Sequence, residues 1–245
     1  MTTLTPREKI LAAAVLLLVL IACFAPSLSA AKWDILDYID KRAWLGLPNA
    51  ANVLSNLPFL FLGVWGLFVL RARQRSSRPV GTLWFFIGFI LTCFGSSYYH
   101  LEPNGIHLIF DRLGMTVAFA GMLGIATGER ISARSGRAMT VLITVTGLLA
   151  AWIAYTNLTP WAVVQFGGIA LILALACIRF LPGTLGVPLG GIIVFYTLAK
   201  IMEMNDAAIY RLTHEFVSGH TLKHLFAAMA GLPVIRALDR QMSRA

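Results

Sequence analysis

A chain of 245 residues that is 58% hydrophobic and only 13% charged carries more apolar side chain than one soluble core can cover. The apolar residues fall in blocks of about twenty, the length that crosses roughly 30 Å of hydrocarbon, which excludes a soluble enzyme and leaves no stretch for a separate soluble domain. A formal net charge of +9 would suggest nucleic acid in a soluble protein, but its distribution ties it to membrane orientation instead, and no nucleic-acid partner is expected.

In chain order the blocks predict membrane-spanning helices over residues 8–29, 50–70, 80–101, 107–127, 138–155, 160–181, 187–204 and 219–238. Arg7 and Lys9 precede the first, which ends in Ser27-Leu28-Ser29-Ala30. Those small residues also suit a cleaved signal peptide, and we take the span as retained. Residues 1–30 are thus an N-terminal transmembrane helix or signal anchor, and 31–245 form the bundle. After it, Trp33, Tyr38 and Trp44 read as interfacial anchors of a short amphipathic segment. The loops are short throughout. Cys23, Cys93 and Cys177 fall inside apolar spans and read as packing thiols rather than a disulfide framework.

With the N-terminus inside, Arg7, Lys9, the arginines of 71–78, Arg130, Arg134, Arg137, Arg179, Arg236, Arg240 and Arg244 share one side. This asymmetry places both termini in the cytoplasm, and together with the compact loops it fits a multi-pass protein of a bacterial inner membrane. The unusual polar residues then gather at the opposite, periplasmic ends of the helices. The third span ends in Gly95-Ser96-Ser97-Tyr98-Tyr99-His100, the fourth carries Asp111, and the eighth begins with His220 and His224.

His220 and His224 lie one helical turn apart on one face and can offer two imidazoles to a single ion. His100 would make a third. Three imidazoles leave one position of a tetrahedral zinc open, as in catalytic sites, where water is activated at neutral pH. Asp111 is costly in a span, about 2.5–3.5 kcal/mol on insertion scales, and a nearby metal offsets that cost. These residue types point to hydrolysis, with Asp111 as general base and Ser96 as hydrogen-bond donor to the attacking water or the developing oxyanion. The plainer readings are an interfacial histidine pair and an Asp111–Arg112 ion pair.

His107 and His214 are read as exposed or packing residues, and Glu203, Asn205 and Asp206 as a polar cap. Gly95, Gly190 and Gly191 are read as helix-packing positions rather than a phosphate loop. A transporter or haem protein is the third functional class, against which stands the lack of an internal repeat.

The run Gly95-Ser96 to His100, then Asp111, then His220 and His224, resembles the signature of the alkaline ceramidases. They belong to a wider superfamily with the adiponectin and progestin receptors and the Per1-type membrane proteins. Asn52-Val53-Leu54-Ser55-Asn56 is similar to the segment opening their first core helix, and the likeness covers about residues 33–238. It implies an all-α polytopic fold, a seven-helix transmembrane bundle core with one additional N-terminal helix. It also implies Zn2+ on His100, His220 and His224, with Ser96 and Asp111 catalytic, and hydrolysis of the ceramide amide to sphingosine and a fatty acid. Family members bind Ca2+ through an acidic segment, onto which Asp37, Asp40 and Asn49 map as candidate oxygen ligands. Lys41 and Arg42 bring opposing charge there, and Asn49 stands where the family has a glutamate.

The expected function is therefore a zinc-dependent amide hydrolase working inside the bilayer on a membrane lipid, ceramide or a related N-acyl lipid. The alternative is a receptor-like or structural bundle whose zinc is closed by a fourth protein ligand.

Overall fold

Every apolar block of the sequence forms helix in the computed structural model, which describes residues 3–29, 38–72 and 79–242, the side chains of 241 and 242 excepted. α1 (Pro6–Phe24) starts in a capping box, the Thr5 side chain accepting from the Glu8 N–H and the Glu8 carboxylate accepting from the Thr5 N–H. α2 (Ala50–Leu54) and α3 (Leu57–Arg71) meet at Ser55-Asn56 and together make one membrane-length unit. α4 (Val80–Leu101) and α5 (Gly105–Arg130) form a hairpin whose turn is closed by Asn104, its side chain accepting from the N–H groups of Ile106 and His107. Ser132 caps α6 (Ala133–Ile153) in the same manner. α7 (Thr159–Ala162) passes through a π-helical turn (Val163–Gly167) into α8 (Gly168–Ala176). α9 (Leu189–Met204), α10 (Asp206–Leu212), α11 (Gly219–Met229) and α12 (Leu232–Met242) complete the chain.

Among the described residues five helical units are long and apolar enough to cross a membrane: 50–71, 80–101, 105–130, 133–153 and 159–176. The other three predicted blocks are helical with different dimensions. α1 opens on Arg7, Glu8 and Lys9. α9 has 16 residues, about 24 Å of rise. The last block is two helices of 11 residues each, parted at Ala230-Gly231.

The outer faces support a lipid environment. α3 exposes Phe61, Trp65 and Phe68, and α6 exposes Val141, Val145, Leu149 and Trp152. Each set recurs every three or four residues, a continuous apolar stripe that water would penalise.

α4 and α5 touch backbone to backbone. Gly81, Gly88 and Gly95 recur every seventh residue on α4. A β-carbon on Gly88 would lie 2.1 Å from the Ala118 nitrogen, and one on Gly95 2.2 Å from the Phe110 carbonyl oxygen. This is the small-residue approach by which helices associate where water supplies no drive. The expectation that Gly190 serves the same purpose is corrected, since a β-carbon there meets open space.

Polar contacts fix the rest of the bundle. Glu8 of α1 accepts from Ser132, Ser135 and Arg134 at the α5–α6 turn, and Leu28 donates its N–H to the Thr159 hydroxyl. At that same end of α5, buried Glu129 accepts from the Val187 N–H while Arg130 donates to the Val187 carbonyl, folding the α8–α9 loop back onto the bundle.

Candidate metal and catalytic site

The last turn of α4 and the first turns of α11 supply the histidines. α11 begins where the Ser218 hydroxyl accepts from the Thr221 N–H. Asp206, expected to belong to a solvated cap, clamps this start: its carboxylate accepts from the His220 N–H at 2.7 Å and from the Ile39 N–H at 2.9 Å. One carboxylate thereby ties α10, α11 and the segment before α2 together.

His100, His220 and His224 converge, each offering a ring nitrogen within 4.8 Å of the others. The Nε2 atoms of His100 and His220 are 3.3 Å apart. Two nitrogens bound 2.0–2.1 Å from a tetrahedral zinc lie roughly 3.3–3.4 Å apart, so this pair already has the spacing of one edge of a zinc site. Ser55 settles the tautomer of His224. Its hydroxyl donates to the Asn52 carbonyl at 3.0 Å, which leaves Oγ as acceptor for the His224 Nδ1 proton across 2.7 Å. The Nε2 lone pair of His224 is then free to ligate. Among the described residues His100 Nδ1 is buried without a hydrogen-bond partner, and its ring packs against those of Tyr38 and Tyr99. The donor set fits a borderline metal such as zinc better than calcium or magnesium.

Removing the Ser55 hydroxyl frees the His224 ring. In Ser55→Ala we expect metal affinity to fall about 10–100-fold, read by competition with a chromophoric chelator, with the helical circular dichroism signal retained.

Ser96 lies one turn before His100, and its side chain hydrogen-bonds the Asp111 carboxylate. Asp111 and Arg112 are near enough for their charges to act on each other, as the ordinary reading has it, but they are not in direct contact. Among the described residues no ion pair joins the two, and the buried Arg112 guanidinium stands over the Trp161 ring, 5.6 Å from its centroid. A cavity of about 320 Å³ contains these groups. Ser96, His100, Asp111, His220 and His224 line one end, while Phe85, Phe89, Met122, Ile192 and Ala230 line the other. Along α4 the lining runs from Phe85 to His100, about 22 Å of helix.

Tyr38 departs from its expected place at the membrane interface. It is 3% exposed, and its ring sits 5.1 Å from those of both His100 and His220, packed against the three-histidine group. Trp44 is 61% exposed, and Trp33 lies outside the described residues.

Of the candidate calcium ligands, Asp37 also lies outside the described residues. Asp40 is buried, and both its oxygens accept from Arg42, at 2.9 and 2.8 Å. Burial pushes the Asp40 carboxyl up, but the Arg42 hydrogen bonds and charge outweigh it and hold the group below the usual carboxylate range. Asn49 donates its amide N–H to the His100 carbonyl at 2.8 Å. Arg42 thus stands where a cation would meet Asp40, and the amide N–H of Asn49 is engaged by the His100 carbonyl. His107 bonds the Glu102 carbonyl and stacks on Tyr98, and His214 is exposed in a left-handed turn. Neither joins the three-histidine group.

No protein-family model matches the chain, and no curated protein matches it.

Proposed function

We propose that this protein is a zinc-dependent intramembrane amide hydrolase of the alkaline ceramidase type, acting on ceramide or a related N-acyl lipid and releasing a free fatty acid. The observation that carries this reading is the convergence of three imidazoles and a serine–aspartate pair at the polar end of an elongated, otherwise apolar cavity.

His100, His220 and His224 would hold the metal. A zinc ion on three imidazoles supplies Lewis acidity toward an amide carbonyl and lowers the pKa of water at its open position to about 7. Asp111 accepts the proton of the attacking water and returns it to the leaving amine nitrogen. Ser96 holds the Asp111 carboxylate in line by its hydrogen bond. Tyr38 covers the histidines and keeps bulk water out. The apolar end of the cavity takes the acyl chain, laid along α4 and α5.

The seven core helices are counted as 50–71, α4, α5, α6, 159–176, α9 and the α11–α12 pair, with α1 as the additional N-terminal helix. Arginine and lysine placement supports cytoplasmic termini and a site toward the periplasm of a bacterial inner membrane. A structural or receptor-like zinc would call for a fourth protein ligand. Among the described residues the group has three, which favours turnover.

Elemental analysis of detergent-purified protein, beside a fatty-acid release assay on labelled ceramide and other N-acyl lipids, tests the proposal. We expect about one zinc per chain and release from at least one lipid. Stoichiometric zinc without release from any lipid would overturn the hydrolase in favour of the receptor-like bundle.

A further inference from the structure

The cavity carries charges that amide hydrolysis does not use. Lys200 Nζ donates to Glu203 Oε2 at 2.6 Å, and Lys223 Nζ donates to Glu203 Oε1 at 3.1 Å. One carboxylate is thus shared by two ammonium groups. Lys200 and Glu203 project from the last turns of α9, and Lys223 lies between His220 and His224 in sequence. All three line the same cavity as the histidines, and so does Arg112.

Three cations, Arg112, Lys200 and Lys223, therefore line the same cavity as two carboxylates, Asp111 and Glu203. A metal on the histidines adds further positive charge. Arg112 is 4% exposed and lines the cavity, and although the Asp111 charge acts on it, no carboxylate is in ion-pair contact with its guanidinium among the described residues. A buried cation is costly unless an anion meets it. A neutral lipid such as ceramide leaves the excess standing, whereas a substrate with its own negative charge balances it. On the hydrolase reading the apolar end takes the acyl chain and the amide lies at the polar end beside the histidines, so the group that reaches the lysines is the amine-side fragment.

We propose that Lys200, Lys223 and Arg112 bind an oxyanion, carboxylate or phosphate, carried on the amine side of the substrate, so that the preferred lipids are anionic N-acyl lipids. The assignment rests on the hydrolase reading above. Each lysine has three N–H donors, and one serves Glu203 in the contacts seen, so both retain donors for a ligand. Glu203 spaces the two ammonium groups and at the same time competes with the ligand for them.

The test uses the metal-loaded protein and three lipids with the same acyl chain: N-palmitoylethanolamine, its phosphate ester, and N-palmitoylglycine. We expect kcat/KM for at least one anionic lipid to exceed that of the neutral one about tenfold or more. The phosphate and glycine arms identify which oxyanion is preferred. Lys200→Gln and Lys223→Gln should each lower this ratio, chiefly through KM, and Glu203→Gln should raise it. A damaged fold lowers all rates together and cannot move the ratio in both directions. A wild-type ratio near unity, or a ratio indifferent to all three substitutions, overturns the proposal. Should no lipid be turned over, the hydrolase reading fails and the anion site is decided by binding. Hexadecyl phosphate should then displace a fluorescent fatty acid better than hexadecanol does, with that preference lost in the lysine variants, and equal displacement overturns the site as well.

Discussion

Replacing His220 and His224 together by alanine is expected to remove bound metal and fatty-acid release in one step. The variant leaves His100 as the only imidazole of the group, and one imidazole does not retain zinc through purification. Turnover should fall by at least about 10³-fold, because the activated water and the Lewis acid are both lost. A second readout is independent of substrate. A ligand that binds only the folded state stabilises it by about 2.7 kcal/mol at a hundred times its Kd, so the wild-type melting temperature in detergent should drop when a chelator is added. The variant should already melt near the chelated wild-type temperature and ignore the chelator. Metal retained at wild-type stoichiometry in the variant would mean that the histidines are not its ligands.

Asp111→Asn should cost about 10²–10⁴ in kcat, the usual span for losing a positioned general base, while zinc content stays at the wild-type level. Asparagine keeps the shape and can still accept from Ser96, so the change isolates basicity and charge from packing. Ser96→Ala should act in the same direction and less severely, since the carboxylate persists without its positioning donor. The competing view, a structural carboxylate serving Arg112, predicts the reverse pattern: a protein of lower stability whose folded fraction turns over normally. Measuring kcat per zinc-loaded chain separates the two.

Much of this architecture was legible in the sequence, for identifiable reasons. α4 occupies the whole predicted block 80–101 because Pro79 and the Glu102-Pro103 pair bound it on both sides. α5 outruns its block at the far end because Glu129 and Arg130 end the apolar run without ending the helix. One oxygen of Glu129 and one nitrogen of Arg130 bond the backbone of Val187, a contact that hydropathy does not register. α10 has seven residues of mixed polarity and gives no apolar signal. The break at Ala230-Gly231 is hidden because both residues suit a membrane helix.

The histidines stood out because the i, i+4 spacing and the common depth were both visible in one dimension. Ser55 stood out only as part of the Asn52–Asn56 run, and its role beside His224 did not, since that partner is 169 positions away and a serine near a helix start has many ordinary roles. Tyr38 was placed at the interface because an aromatic ring beside a polar segment suits that position as well as a lid over imidazoles. Only the tertiary contact separates the two. Glu203 looked like a helix cap for a similar reason: its second lysine comes from another helix, 20 residues on.

The glycine seam between α4 and α5 makes the site resemble a vice with one fixed jaw. Ser96, His100 and Asp111 all stand on that hairpin, and the gap between its halves is set by β-carbons that are not there, at Gly88 and Gly95. At those two points the contact is made by backbone atoms and has no side chain to repack. The other jaw, α9 with α11, carries His220, His224 and the lysines, and it too has a close backbone approach, since a β-carbon on Gly219 would lie 2.1 Å from the Met202 carbonyl oxygen. Any accommodation of a larger or smaller head group therefore falls to the long side chains that line the cavity, Lys200 and Lys223 among them, while the spacing of the serine, the aspartate and the first histidine is held as a constant of the fold.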